Sequence, residues 1–261
     1  SRIMPRLSPD GLVSARRRLL QMHYESGVGH LGGALSCLDA MMLLFHEHLR
    51  PTDDFILSKG HAVSALYVTL WSLGEISDDD LRTFCHDGTL LGAHPPANAI
   101  DRIRFATGSL GHGFSIAAGT ALGCQILGQD SRIYCMTSDG EWQEGSTWEA
   151  LIFACHRQLD NLTVLIDENG LQAFGSTSEV ASMAPLAARI SGFDADVREI
   201  DGHDPDALRD ALNRPQKRLR IIILRTIKGA RVAALENRLE SHYLPLTTEQ
   251  YVVALDEVGR P

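Results

Sequence analysis

Apolar positions along this chain follow two rhythms. Over residues 12–24 they recur at helical spacing, and Leu38, Met41, Met42, Phe45 and Leu49 again share one helical face. The methionine pair there reads as adaptable core filler rather than as a cofactor contact. Residues 55–57, 132–137, 163–167, 196–200 and 219–226 form short, predominantly apolar runs bounded by turn residues, which predicts strands buried on both faces. Helical stretches lie between them, one marked by Trp148, Leu151, Ile152 and Cys155. Strand–helix alternation of this kind predicts an α/β fold, a parallel sheet with helices on both faces. A last helix is expected from Thr247, where Thr247 and Gln250 have the spacing of a capping box, ending by Gly259.

Length and charge narrow the picture. The 261 residues are expected to form one large domain spanning 1–261 with peripheral segments, and 44% hydrophobic with 22% charged residues suits a buried core. A net charge of −9 argues against nucleic acid or an anionic membrane as partner, since both call for clustered Lys and Arg. The run Arg16-Arg17-Arg18 reads as one face of an amphipathic helix. Five scattered cysteines without a C-x-x-C spacing fit reduced, buried thiols in a cytoplasmic protein better than disulfides or a zinc site. No apolar run is long enough to cross a bilayer, and the first residues lack a signal pattern.

The chemistry concentrates in Ser138-Asp139-Gly140-Glu141-Trp142-Gln143-Glu144-Gly145, followed by Asp167-Glu168-Asn169. Asp139 and Asn169 each fall just past the carboxyl end of an expected strand, the edge where open parallel sheets bind ligands. Mg²⁺ takes six hard oxygens; Asp139, the Asn169 amide and the main-chain carbonyl of Leu171 supply three, and a diphosphate and water can complete the shell. Gly140 would let backbone N–H groups approach phosphate at a helix start. Taken singly, Asp139-Gly140 and Asn169-Gly170 are ordinary turn dipeptides. Their order with Glu144-Gly145, Trp148-Glu149-Ala150, residues 159–162 and Gln172 is what makes the pair a site. Gly27-Val28-Gly29-His30-Leu31-Gly32 fits the dinucleotide pattern G-x-G-x-x-G, but a helix precedes it where that fingerprint needs a strand.

The stretch 138–175 resembles the thiamine diphosphate motif of transketolases. Gly29-His30-Leu31-Gly32-Gly33, Leu57-Ser58-Lys59-Gly60-His61, Gly92-Ala93-His94-Pro95, residues 107–113 and residues 241–246 follow that family's order over nearly the whole chain. The resemblance implies a diphosphate-binding (PP-type) fold, Mg²⁺ (or Ca²⁺ or Mn²⁺ in its place) and thiamine diphosphate. It implies Asp139, Asn169 and Leu171 as metal ligands, and His61, Gly108, Ser109, Leu110, Asp139, Gly140, Glu141, Asn169 and His242 as cofactor contacts. His30, His94 and His242 would act at the reacting centre, where an imidazole can bind a sugar hydroxyl and move protons. His46, His48, His86, His156 and His203 match no motif and are expected to face solvent. Glu144 and Glu149, which could simply favour a helix start, correspond to carboxylates at the family's dimer interface.

The implied reaction is transfer of a two-carbon ketol unit from a ketose to an aldehyde. In transketolases the glutamate that contacts the pyrimidine belongs to a separate pyrimidine-binding domain, which this sequence does not contain. The expectation is therefore an N-terminal subunit of a two-component transketolase, working with a separately encoded partner in an α2β2 assembly; a piece of a longer enzyme would look the same. Acyl transfer from a 2-oxo acid, a role in specialised metabolism, and a non-catalytic cofactor-binding or regulatory module stand as alternatives. Ser138, Ala93, His112 and Lys228-Gly229-Ala230-Arg231 depart from the family pattern, the last where a small-residue turn is expected.

Overall fold

The computed structural model describes residues 6–172, 175–238 and 244–259. Helices α1 (Pro9–Ser26) and α2 (Leu31–Leu43) and a π-helical turn (Leu44–His48) precede strand β1 (Asp54–Leu57). Helices α3 (Val63–Ser72), α4 (Asp78–Arg82) and α5 (Gly113–Ile126) lead to β2 (Ile133–Ser138), and α6 (Gly145–His156) joins β2 to β3 (Leu162–Glu168). A short antiparallel pair, β4 (Leu171–Gln172) and β5 (Gly175–Ser176), is followed by α7 (Thr177–Ala181) and α8 (Leu186–Ile190). Then come β6 (Asp196–Asp201), α9 (Pro205–Asn213), β7 (Arg220–Arg225) and α10 (Thr248–Glu257).

Local chemistry explains the helix ends. Ser8 Oγ accepts the Gly11 N–H at 3.1 Å, Pro9 opens α1, and Gly27, at φ 66°, closes it with its N–H on His23 O. The expected capping box at α10 is present, with Gln250 N–H on Thr247 Oγ1 and Thr247 N–H on Gln250 Oε1.

Strands β1, β2, β3, β7 and β6 pair in that order, all parallel. One face of the sheet packs on α1, α2, α3 and α9 through residues such as Met136, Leu165 and Leu224; the other packs on α5, α6 and α8 through Cys135, Val164 and Ile223. The β2–β3 crossover runs over the second face and the β6–β7 crossover over the first. The winding therefore reverses between β3 and β7, and a crevice opens at their carboxyl ends.

Several expectations need correction. Strand β6 is only partly buried, because it lies at the edge with a single neighbour. Arg16, Arg17 and Arg18 lie on a helix as expected but not on one face: Arg17 is exposed, whereas Arg16 and Arg18 are 6% and 5% exposed and pair with Asp39 and Asp78. His203 is drawn inward, with Nδ1 3.1 Å from Asp39 and Nε2 accepting the Ile227 N–H. His46 is half-buried on Ser72, and His48 is also half-buried, while His86 and His156 do face solvent. All five cysteines are free, and Cys85 and Cys155 are only partly buried. Among the described residues no helix is long and apolar enough to cross a membrane.

Candidate functional site at the carboxyl edge of the sheet

Asp139 follows β2 directly and opens the 3₁₀ turn Gly140–Gln143. Its Oδ1 accepts the Gly140 N–H at 2.8 Å and its Oδ2 the Gly170 N–H at 2.7 Å, so the carboxylate ties the β2 end to the loop after β3. The residue is 6% exposed. Burial pushes its carboxyl up to about 7, against the pull of the Gly170 N–H, and neighbouring Asp167 adds to the rise. Asn169 turns its amide oxygen to the Leu171 N–H (3.1 Å) and its NH2 to Asp167 Oδ2 (3.3 Å). Asp139, Asn169 and Leu171, whose oxygens are expected to hold a cation, are thus linked by hydrogen bonds across the ends of β2 and β3.

Behind that loop lies a buried ion pair. Lys59 Nζ donates to Asp167 Oδ2 and, at 3.0 Å, to Gly33 O; neither charged side chain has any exposed surface. Asp167 also accepts Ser36 Oγ at 2.6 Å and Thr226 Oγ1. Burial alone would raise the Asp167 carboxyl, but the Lys59 charge and these donors hold it below its ordinary value. Burial likewise opposes the charge on Lys59, yet Asp167 keeps its amine above the ordinary range.

Glu141, expected among the cofactor contacts, is 1% exposed and turned inward. Its Oε1 accepts Ser58 Oγ and the Gly111 N–H (3.0 Å), and its Oε2 the Ser138 N–H (2.9 Å). Burial raises its carboxyl, and these donors oppose the rise. Ser58 Oγ in turn accepts the Gly113 N–H at 3.0 Å. Glu141 therefore locks the Gly108–Gly111 loop to the ends of β1 and β2.

Three of the singled-out histidines meet above this edge. His61 sits on the 3₁₀ turn Gly60–Ala62, and a Cβ on Gly33 would touch its ring at 3.7 Å. His30 precedes α2 with a left-handed backbone (φ 66°), its ring centroid 5.8 Å from that of His61. Burial, then the nearby His94 and Lys228, hold the His30 imidazole below its ordinary range, so it is neutral near pH 7. His94 lies on Gly108, where a Cβ would come within 2.9 Å of its ring; only glycine allows that approach. His112 Nδ1 lies 3.1 Å from Ser109 O and 3.2 Å from Leu110 O, bracing the loop before α5. His242 lies outside the described residues. Glu144 and Glu149 are exposed along α6, next to the exposed Ile152 and Phe153.

Lys228 is the site residue that sequence reasoning missed, because it stood there only as a departure from an expected turn. It is 1% exposed, and its Nζ donates to Leu171 O at 3.3 Å. Burial, with the Lys59 charge, brings its amine down to about 8. Asp167 takes up the Lys59 charge, so Lys228 is the lysine whose charge suits an anion at this strand edge, and an apolar-to-polar break at the end of a strand run is the signal that could have found it. Among the described residues no three His, Cys, Asp or Glu converge as a metal cluster. One buried carboxylate with an amide and a carbonyl instead suits a hard cation that draws its remaining ligands from phosphate and water. The fit to a cation-bound diphosphate is good: a buried carboxylate below, the Lys228 ammonium beside it, and a glycine-lined approach under His61 and His94. A broad groove lined by Arg50, Asp54, Arg104 and Asp130 lies at the opposite edge, where the strands begin, away from this chemistry.

Residues 12–259 match the family model described as "Transketolase, thiamine diphosphate binding domain". The chain is 36% identical over 256 residues to an apulose-4-phosphate transketolase subunit of Phocaeicola vulgatus, covering 94% of this chain and 91% of that one. It is also 36% identical over 257 residues to 6-deoxy-6-sulfo-D-fructose transketolase subunit SqwG of a Clostridium species, covering 94% of each. Among solved structures, transketolase from Leishmania mexicana superposes with a TM-score of 0.89 at 25% identity; the match covers 97% of this chain but 41% of that one.

Proposed function

Because the chain belongs to the transketolase family and carries its thiamine diphosphate-binding domain, we propose that it is the N-terminal subunit of a two-component transketolase. It works with a separately encoded subunit bearing the pyrimidine-binding domain and transfers a two-carbon ketol unit from a ketose to an aldehyde. The relatives matched over nearly their full length, which are named as subunits, support the two-component reading. Their names also support a ketose with an anionic terminus, phosphate or sulfonate, as the donor class. Cytoplasmic residence fits the free thiols.

In this reading Asp139, Asn169 and the Leu171 carbonyl hold Mg²⁺, and Ca²⁺ or Mn²⁺ can stand in. Lys228 and His61 hold the diphosphate beside Gly140, and Gly108, Ser109 and Leu110 line the ring end. When bound, the cofactor supplies the carbon nucleophile and electron sink for breaking and making the carbon–carbon bond. The chain's own residues orient the donor and handle protons. Neutral His30 can accept a proton from a substrate hydroxyl at one ring nitrogen while the other donates a hydrogen bond, and His94 binds a second hydroxyl. His242 is assigned to the same centre from the motif alone. The exposed Glu144, Glu149, Ile152 and Phe153 along α6 face a second copy, giving an α2β2 assembly.

The observation that carries the proposal is the bond from buried Asp139 to the loop bearing Asn169 and Leu171. The test is ketol transfer with Mg²⁺ and thiamine diphosphate, measured for this chain alone and with the partner subunit. Turnover is expected only with both chains and with a ketose phosphate rather than pyruvate as donor. Full turnover by this chain alone would overturn the two-component reading, and preference for pyruvate would overturn the substrate class.

A further inference from the structure

We infer that Asp167, which is not itself a cation ligand, dictates which atom of Asn169 faces the cation and thereby requires an amide at position 169. The inference rests on the cation site proposed above.

The Asp167 carboxylate collects donors from four separate parts of the chain. Lys59 Nζ, Ser36 Oγ at 2.6 Å and Asn169 Nδ2 at 3.3 Å meet its Oδ2, and Thr226 Oγ1 meets its Oδ1. With Lys59 as its ion partner it is ionised and can only accept. The Leu171 N–H, on the other side of Asn169, can only donate, and it points to Oδ1 at 3.1 Å. These two fixed partners leave the Asn169 amide one orientation. Flipping it would set a carbonyl oxygen against a carboxylate and an NH2 against an N–H.

A carboxylate at position 169 would be worse placed. One of its oxygens would replace the NH2 now 3.3 Å from Asp167 Oδ2, putting a second negative charge in contact with the buried Asp167 carboxylate. Most divalent cation sites gain affinity from an added negative ligand; this one is built to lose it. The same ion pair reaches the diphosphate side, because Lys59 Nζ also holds Gly33 O at 3.0 Å, under the His61 ring. Asp167 is thus a positioning residue for both halves of the site, joined through β3 and α2.

The test is Mn²⁺ affinity in the presence of thiamine diphosphate, read from the resonance signal of free Mn²⁺. It uses the full chain, by itself and with its partner, with thermal unfolding of the same samples. Asn169→Asp is expected to weaken Mn²⁺ binding about 10- to 100-fold despite the added charge, and Asp167→Asn by a similar factor. The exchange variant, Asp167→Asn with Asn169→Asp, restores a carboxylate–amide pair and is expected to recover much of the lost affinity. Binding by Asn169→Asp as tight as or tighter than the unaltered chain would overturn the inference. So would an exchange variant no better than Asp167→Asn at equal stability. Asn169 is only partly buried, so its single variant decides the question even if the Asp167 variants fail to fold. No Mn²⁺ binding by the unaltered chain would overturn the cation site itself, a result distinct from either of these.

Discussion

Asp139 Oδ2 accepts the Gly170 N–H at 2.7 Å, and this bond ties the end of β2 to the loop that holds Asn169 and Leu171. A buried carboxylate with no ion pair of its own among the described residues costs the empty chain stability while serving a cation. Asp139→Asn is therefore expected to unfold at the same or a higher temperature without cation, yet to lose Mg²⁺-dependent thiamine diphosphate binding in calorimetry. Unchanged cofactor affinity would refute the assignment.

Lys228 is the second cation at the strand edge and the one assigned to the diphosphate. Lys228→Met keeps the length of the side chain but removes its charge. It is expected to weaken thiamine diphosphate binding at least about tenfold, the scale of one charge-assisted hydrogen bond. Equal affinities in equilibrium dialysis would remove Lys228 from the site.

Glu141 serves architecture more than ligand contact. Its carboxylate joins Ser58, Gly111 and Ser138, so Glu141→Ala leaves buried donors unmatched and should cost about 3 kcal/mol in denaturant melts. Glu141→Gln keeps one acceptor oxygen and should cost less. If alanine proved no worse than glutamine, the lock between these loops would not be the source of the stability.

Gly113 tests the same lock from the other side. A Cβ there would fall 2.3 Å from the Ser58 side chain, far inside contact distance. Gly113→Ala must displace Ser58 from Glu141 and is expected to destabilise by about 3 kcal/mol, whereas Gly119→Ala, with open space around it, is expected to be neutral or stabilising. Comparable melting temperatures for the two variants would contradict the geometry.

His23 sets an acid limit on stability. It is 2% exposed, its Nδ1–H donates to Val28 O at 2.9 Å, and its Nε2 accepts Ser64 Oγ at 2.7 Å, so it is buried neutral. Burial lowers its folded pKa from 6.5 to about 4. Between those values the unfolded chain binds the extra proton, so the contribution is complete above 6.5 and is lost as pH falls toward 4. On moving from pH 7.5 to 5, His23→Gln should lose about 2 kcal/mol less stability than the unaltered chain. Parallel pH profiles from urea melts would exclude His23 as a source of the acid sensitivity.

The thiamine diphosphate-binding domain was legible in the sequence, and so were the turns proposed to hold a cation and diphosphate, because their parts are local. Asp139 with Gly140, and Asn169 with Leu171, lie within single turns at strand ends, where sequence order is spatial order. The strand runs were legible for the same reason, as was the Thr247–Gln250 cap. Misjudgements fell where charge was assumed to mean exposure. Arg16, Arg18 and His203 are drawn inward by Asp39 and Asp78, partners that no local pattern announces.

The sequence by itself determined which loops could carry a cation and a diphosphate, since the backbone around Asp139 and Asn169 dictates their direction over a few residues. Only the tertiary structure decided how those loops are held in common. Lys59 and Asp167 are 108 positions apart, and Thr226 lies 59 beyond Asp167. They meet because β7 enters beside β3 from the far edge, reversing the winding and bringing three strand ends to one crevice. A buried charge needs its counter-charge within contact distance, and strand order supplies that distance where spacing along the chain cannot.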